Sequence, residues 1–338
     1  MHKKLGRQSV TFENSLTIKS VASIVGNKEG EGPLGTLFDA VEQDAMLGKK
    51  SWEAAEAEFL KRALERATEK AQLTQANIDY VLAGDLMNQS TSSSFVLRDM
   101  PIPFFGIFGA CSAFGEGLGL AAIIADGGFA KNILVGASSH FCAAEKQFRF
   151  PLELGGQRPP TSTWTVTGAG AALLTLDSSG PFVRGITTGK IIDMGIKDMN
   201  NMGAAMAPAA ADTLAAHLYE FGRAPSYYDV IATGDLGYVG RDLVIKLMSE
   251  HGHDLTPNYT DCGIEIFDQK TQDTHSGGSG CGCSATTFAA MYYPKLVSGE
   301  IKRMLLIPTG ALANQMTSQQ GETIPGIAHA VVIESALA

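Results

Sequence analysis

One cysteine in this chain has the surroundings of a reactive thiol. Residues 109–113 read Gly-Ala-Cys-Ser-Ala, after an apolar strand-like segment over 104–108 and before a helical pattern over 115–125. Cys111 therefore lies at a strand-to-helix turn, where the positive end of the helix dipole favours a thiolate. A buried, inert cysteine is the commonest fate of a free thiol and fits the local sequence equally well.

Two histidines lie where an α/β sheet places its ligands. His140 follows the predicted strand over 133–137, and His329 precedes the last predicted strand. Strand ends are where such sheets form binding crevices, so both side chains are candidate ligand contacts. A hydrogen-bonded structural role suits each histidine at least as well.

A long segment over 140–165 has no clear periodicity and carries several cations, among them Arg149 and Arg158. Long ordered loops often cover a functional site. A guanidinium presents a planar fork that matches a carboxylate. Both arginines are therefore candidates to bind an anionic ligand above Cys111, with a solvated loop as the equally good alternative.

The cysteine- and glycine-rich segments predict no cofactor. Cys281, Cys283 and His275 lie close together, but a zinc site needs four ligands and no second pair has metal spacing. The Gly-rich stretches over 115–119 and 277–282 match neither a phosphate loop with its lysine nor a complete dinucleotide fingerprint. We expect no metal and no cofactor.

The elements that must position these residues occur twice. Residues 78–86 and 228–236 are both apolar runs that contain Gly-Asp-Leu where the strand ends. Each follows a helical stretch, predicted over 52–72 and 209–221. Both runs are typical of buried strands that leave a sheet.

Two further matches follow in the same order. Residues 111–113 and 283–285 both read Cys-Ser-Ala, and small apolar runs recur at 171–174 and 330–333. Three ordered matches indicate an internal duplication, with halves over about 1–180 and 181–338. Alternating strands and helices predict two mostly parallel sheets with helices packed on them.

Composition narrows the class of protein. The chain has 338 residues and a formal net charge of −9, which disfavours nucleic acid as a partner. The N-terminus lacks a signal peptide, and the most apolar stretch, over 102–125, is interrupted by Glu116, so we expect no membrane span. Five cysteines without framework spacing indicate a reducing compartment rather than disulfides.

The cysteine turn, placed before a Gly/Ala-rich helix, resembles the nucleophile turn of the thiolase superfamily, which includes thiolases and ketoacyl synthases. Residues 84–98 resemble the segment that helps to form its dimer, and 166–172 resemble the Gly-rich strand entry of ketoacyl synthase III. The resemblance covers essentially the whole chain. It implies an α/β, thiolase-like, duplicated five-layered αβαβα architecture with two mixed, mostly parallel sheets, and a homodimer.

The catalytic partners that this resemblance implies are missing. Condensing enzymes of the superfamily use a cysteine with two histidines or with a histidine and an asparagine. Here the first histidine position falls in Gly-Asp-Leu, which includes Asp235, and the asparagine position falls near Cys281. A thiolase would carry its second cysteine near His329. We therefore interpret Cys111 as the nucleophile position in a ligand-binding cleft, with doubtful activity.

Several segments resemble one sporulation family within the superfamily. That resemblance implies a non-catalytic protein that binds dipicolinic acid, either free or as its calcium chelate, and serves dipicolinate uptake into the forespore. It further implies integral membrane partners from the same operon and a peripheral location at the forespore inner membrane. The segments that carry the resemblance are 32–39, 82–86, 108–112, 126–131, 147–149, 206–213, 277–281 and 322–325.

These expectations define one ligand site and two competing functions. The predicted ligand contacts are Cys111, His140, Arg149, Arg158, Asp235, Cys281 and His329. The alternative is an acyltransferase or condensing enzyme that forms a thioester on Cys111, and the missing histidine and asparagine disfavour it. A scaffold that only docks membrane proteins is a third hypothesis, and it predicts no small-molecule affinity.

Overall fold

The computed structural model describes residues 3–148, 157–176 and 179–338. Its strands are β1 Ser9–Gly26, β2 Ala40–Glu42, β3 Tyr80–Gly84, β4 Phe104–Gly106, β5 Asn132–Ser139, β6 Trp164–Thr165, β7 Gly168–Thr175, β8 Phe182–Thr187, β9 Val230–Thr233, β10 Tyr259–Asp261, β11 Gly278–Ser279, β12 Arg303–Ile307, β13 Thr309–Ala311, β14 Gly326–Ala328 and β15 Ala330–Glu334.

The described helices alternate with these strands, as the sequence pattern predicts. They are α1 Asn27–Gly30, α2 Trp52–Lys70, α3 Thr91–Leu97, α4 Ala113–Asp126, α5 Phe141–Phe148, α6 Met202–Phe221, α7 Gly237–Glu250, α8 Cys262–Glu265, α9 Cys281–Thr287, α10 Tyr293–Ser298 and α11 Gln315–Gln319. No helix in the described ranges has both the length and the apolar character to cross a membrane.

The same five-strand pattern occurs in each half of the chain. The N-terminal half has the order β4-β3-β5-β7-β1, and the C-terminal half has β10-β9-β12-β15-β8. In both, the first three strands are parallel and the last two run antiparallel to their neighbours. The predicted thiolase-like α/β fold is therefore confirmed, whereas the boundary near residue 180 stays a prediction.

The two predicted sheets are joined edge to edge. β1 pairs with β7 along its second part and with β8 along its first part, so eleven strands form one hydrogen-bonded sheet. A second link is the short parallel ladder in which Trp164 pairs with Gly278. The sequence analysis missed this sharing because β1 alternates too weakly to reveal two partners.

Three apolar clusters hold the five layers together. Phe59 and Leu64 of α2 pack on the outer face of the N-terminal strands. Phe114 of α4 and Phe288, which follows α9, meet between the two halves. A third cluster, which includes Leu214 of α6, covers the outer face of the C-terminal strands. Burying these faces supplies the main driving force for the fold.

Two element predictions need correction. The sequence shows no clear periodicity over 140–165, yet this segment begins with helix α5. The helix has only about two turns, which is too short for an amphipathic periodicity to stand out in the sequence. The helix predicted over 209–221 begins at Met202. Pro208 suggests a helix start in the sequence, but Asn201 caps the helix about two turns earlier by accepting a hydrogen bond from Ala204 N–H.

The cleft at Cys111

Cys111 lies at the turn that the sequence predicts. The turn leaves β4 and enters α4, and Ala110 adopts a left-handed conformation with φ of 49°. Ser112 Oγ donates to Gly109 O at 2.6 Å and holds the turn closed. A non-glycine residue in this region is uncommon and often marks a functional site. The turn presents the Cys111 thiol, 8% exposed, at the start of α4.

The residues nearest to the Cys111 sulfur come from the C-terminal half. Asp235 and the Cys281 thiol are in hydrogen-bond contact with it, as is the backbone N–H of Gly280. The contact from Cys281 lowers the pKa of Cys111, but burial and the Asp235 carboxylate outweigh it and raise that pKa above its usual value. Cys111 is therefore held as a thiol, which is a poor nucleophile.

Asp235 organises this part of the cleft. It is fully buried after β9 and accepts hydrogen bonds from Ser279 Oγ at 3.0 Å, Gly280 N–H at 3.1 Å and Thr309 Oγ1 at 2.8 Å. Burial raises the pKa of its carboxyl, and the hydrogen bonds partly offset that rise. The Cys281 thiol also donates to Ala110 O at 3.0 Å. The structure thus brings together Cys111, Asp235 and Cys281.

A cleft opens in front of this trio and encloses about 700 Å³ of space, part of it open to solvent. Methionine side chains form much of one wall, and hydroxyl and amide groups also line the cleft. The only charged side chain among the described lining residues is Glu145. The lining includes Leu86, Cys111, Glu145, Phe148, Ser162, Thr163, Thr165, Met199, Asn200, Met202, Met206 and Ser279.

The two predicted histidines do not join the trio. His140 is buried with Nε2 at 3.0 Å from Ala45 O and its ring packed against Phe59, and it does not line the cleft. Burial lowers its pKa. His329 lines a separate slot beside α4. Both lie at strand ends, as predicted, but neither is among the described lining residues of the Cys111 cleft.

The predicted arginines have different outcomes. Arg149 lies outside the described residues. Arg158 donates from Nη2 to the backbone oxygen of Asp273 at 2.6 Å, and its guanidinium lies 4.7 Å from the centre of the Trp164 ring. Phe141 stacks on Trp164 at 3.7 Å. Arg158 therefore braces the segment beside the cleft and is not part of the described lining.

The methionine wall was missed by the sequence analysis. Met202 and Met206 lie one turn apart on α6, and Met199 precedes the helix. The spacing of the two helical methionines was a usable signal, because flexible thioethers are common at adaptable binding surfaces. In the described part of the chain, no group of three His, Cys, Asp or Glu side chains is placed to hold a metal ion.

Comparison with known proteins identifies the family. The model of the stage V sporulation protein AD family matches residues 6–334. The chain belongs to the stage V sporulation protein AD family. Within it, the chain is 42% identical to stage V sporulation protein AD of Bacillus subtilis strain 168 over 334 residues. This match covers 99% of this chain and 98% of that protein.

Solved structures of condensing enzymes share the fold of this family member. OleA of Xanthomonas campestris has a TM-score of 0.62 at 16% identity and covers 96% of this chain and 97% of its own. 3-Oxoacyl-[acyl-carrier-protein] synthase III of Aquifex aeolicus VF5 has a TM-score of 0.57 at 13% identity, with coverages of 94% and 99%. At these identities the likeness establishes the thiolase-like fold only.

Proposed function

We propose that this sporulation-family protein binds dipicolinic acid in the Cys111 cleft and serves dipicolinate uptake into the forespore without catalysing a condensation. The observation that carries the proposal is the identity of the groups around Cys111. They are a carboxyl, a second thiol and a backbone N–H. None of these is the imidazole that pairs with a condensing cysteine, and the Asp235 carboxylate raises the pKa of the Cys111 thiol, which disfavours the thiolate.

The cleft suits a flat aromatic ligand. Its methionine wall offers sulfur atoms that contact aromatic rings favourably. The side chains of Thr163 and Asn200 also line the cleft and provide neutral hydrogen-bond donors for carboxylate oxygens. Dipicolinate combines one planar ring with two carboxylates, so it matches both kinds of lining group.

The charge of the cleft favours the calcium chelate over the free dianion. Glu145 lines the cleft and Asp235 lies behind it, and no Lys or Arg belongs to the described lining. A free dianion would lose hydration here and would meet no opposite charge among the described lining residues. A one-to-one chelate with Ca²⁺ carries no net charge and avoids that cost.

Titration calorimetry tests the binding proposal. We expect the full chain to bind dipicolinate more tightly with Ca²⁺ than with a chelator, and Ala313→Trp, which fills the cleft, to reduce affinity by more than about tenfold. Ser249→Trp adds the same bulk at an exposed position of α7 and should leave affinity unchanged. Unchanged binding in Ala313→Trp would refute the proposed location.

The alternative function is acyl transfer through Cys111. The left-handed Ala110 and the position of the thiol at the start of α4 favour it. The discriminating experiment is intact mass after incubation with acyl-CoA. A stable adduct in the wild type that is lost in Cys111→Ser would replace the binding proposal with an enzymatic one.

We also propose that the protein is a homodimer that docks on membrane proteins at the forespore inner membrane. β4 is the edge strand of the sheet in the N-terminal half. Phe105 in this strand and Phe108 just after it are about half exposed. An open apolar edge is a common pairing surface. Phe105→Lys should halve the mass measured by light scattering, whereas Phe129→Lys, at a remote exposed aromatic residue, should not.

A further inference from the structure

Two thiols from different halves of the chain meet at the back of the Cys111 cleft. Cys111 lies in the turn between β4 and α4, and Cys281 is the first residue of α9. The Cys281 thiol donates to Ala110 O at 3.0 Å, which places its sulfur beside the cysteine turn, and it also contacts the Cys111 sulfur. Because the two side chains already point at each other, a disulfide between them is a candidate modification.

The two thiols differ in their access to solvent. Cys111 is 8% exposed and lines the cleft, whereas Cys281 is fully buried and is not among the described lining residues. A small oxidant that enters the cleft therefore reaches Cys111 first. This asymmetry is typical of redox-sensing pairs, in which an accessible cysteine is oxidised and a neighbouring cysteine resolves it.

The other three cysteines lack this combination of access and contact. Cys262 and Cys283 are both fully buried, so neither presents surface to an oxidant. Cys142 is partly buried on α5, outside the described lining of the cleft. All five cysteines are free thiols in the structure, as expected for the reducing compartment that the sequence indicates. In such a compartment, a disulfide that does form is usually transient and regulatory.

We propose that Cys111 and Cys281 are an oxidisable dithiol whose disulfide covalently joins the two halves of the chain at the back of the cleft. In the first step, the Cys111 sulfur attacks one oxygen of hydrogen peroxide. The O–O bond breaks, and the departing hydroxide takes the thiol proton, which leaves a sulfenic acid and water. The Cys281 sulfur then attacks the Cys111 sulfur, and the sulfenic hydroxyl leaves with the Cys281 proton as a second water. Two electrons thus pass from the thiols to the peroxide.

The surroundings of Cys111 keep this pair reduced under mild conditions. Burial and the Asp235 carboxylate raise the pKa of Cys111, so the thiolate that reacts with peroxide is scarce. The disulfide should therefore form under sustained exposure to peroxide and should be absent when a thiol reductant is in excess.

Peptide mass mapping of the full chain without reductant, after exposure to hydrogen peroxide, tests the pair. The peptides of Cys111 and Cys281 should appear joined, with the loss of two hydrogen atoms, and a reductant should separate them. Cys111→Ser should leave Cys281 as a thiol. Cys281→Ser should leave Cys111 without its resolving partner, so Cys111 should gain oxygen atoms instead. Cys283→Ser, at a buried position two residues further on, should keep the disulfide.

A ligand-protection measurement links the pair to the cleft, and this part rests on the proposed function. Dipicolinate with Ca²⁺ at about ten times its dissociation constant should slow disulfide formation by about tenfold, because the bound ligand covers Cys111. A disulfide that forms at the same rate with and without ligand would refute the ligand location and support the dithiol. Oxygen gained at Cys111 in the wild type without joined peptides, or oxidation of Cys281 in Cys111→Ser, would overturn the dithiol.

Discussion

Asp79 in the N-terminal half and Asp229 in the C-terminal half hold their sheets in the same way. One carboxylate oxygen of Asp79 accepts the two backbone N–H groups where β5 begins, at 2.7 and 2.9 Å. Asp229 accepts the two where β12 begins, at 2.7 and 2.8 Å. The hydrogen bonds at these two strand starts are therefore the same in both halves of the chain.

A second pair of matching aspartates differs between the two halves in its hydrogen bonds. Asp85 and Asp235 occupy matching places after β3 and β9, and both are buried. Asp85 bonds locally, to Met87 N–H and to Ser93. Asp235 instead reaches segments far along the chain and contacts Cys111. The two halves therefore differ around the Cys111 cleft, whereas the hydrogen bonds at their strand starts match.

The largest expected effect is on stability, from removing either buried aspartate. Asp235→Ala and Asp85→Ala each leave buried donors without acceptors, which should cost about 3 kcal/mol. Urea unfolding measures the loss, and Asp242→Ala at an exposed position is the control. Near-normal stability in either variant would show that the two hydrogen-bond sets are not equivalent.

The next effect is on the pH dependence of stability, and it comes from one buried acid of the N-terminal half. Burial raises the pKa of Glu29 to about 7, although the N–H of Thr167 donates to it. The folded state therefore holds a proton that the unfolded chain releases above about pH 4.5. Protonated Glu29 therefore contributes to the free energy of unfolding at low pH. This contribution should fall by about 3 kcal/mol as the pH rises through 7.

Glu29→Gln should remove that slope, as measured by unfolding at several pH values. Asp261, the buried acid that ends β10 in the other half, has a pKa raised to about 6, so its slope lies at lower pH. A wild-type slope that persists above pH 6 in Glu29→Gln would assign it to another group.

A smaller effect on stability is expected from removing Asp79 or Asp229, which bind the two matching strand starts. Asp79→Ala and Asp229→Ala each remove two hydrogen bonds at a partly exposed strand start, so each should cost about 1–2 kcal/mol. Denaturant titration should give similar losses for both. Values that differ by more than the cost of one hydrogen bond would contradict the matching roles.

The smallest effect is on thiol reactivity. Cys111 borders the cleft, whereas its repeat partner Cys283 is fully buried. Iodoacetamide should modify Cys111 before Cys283. Asp235→Asn removes a charge that raises the pKa of Cys111, so it should increase the thiolate fraction and speed this reaction by less than about tenfold. Peptide mass mapping measures both, and Asp85→Asn is the matched control.

The sequence was sufficient for the features that depend on local pattern. The cysteine turn follows from small residues between an apolar strand and a helix, and the fold follows from alternating elements and their repeat. Asp235 and Cys281 were found by their place in the superfamily pattern.

Features that depend on side-chain direction were not predictable. His140 and Cys111 both follow strands, but backbone hydrogen bonding turns the His140 ring to Ala45. His329 faces a slot whose walls come from three separate segments. Arg158 lies over Trp164, a contact between residues whose approach is set by the pairing of β6 with β11.

The double pairing of β1 has a consequence for synthesis on the ribosome. Val10 pairs with Ile186, so the first strand to emerge must wait for about 175 more residues before its outer edge is covered. Until then that edge is open to wrong partners, and such non-local pairing is slow. The N-terminal half is thus an incomplete product during translation, and the chain is committed to its final form only once β8 has left the exit tunnel.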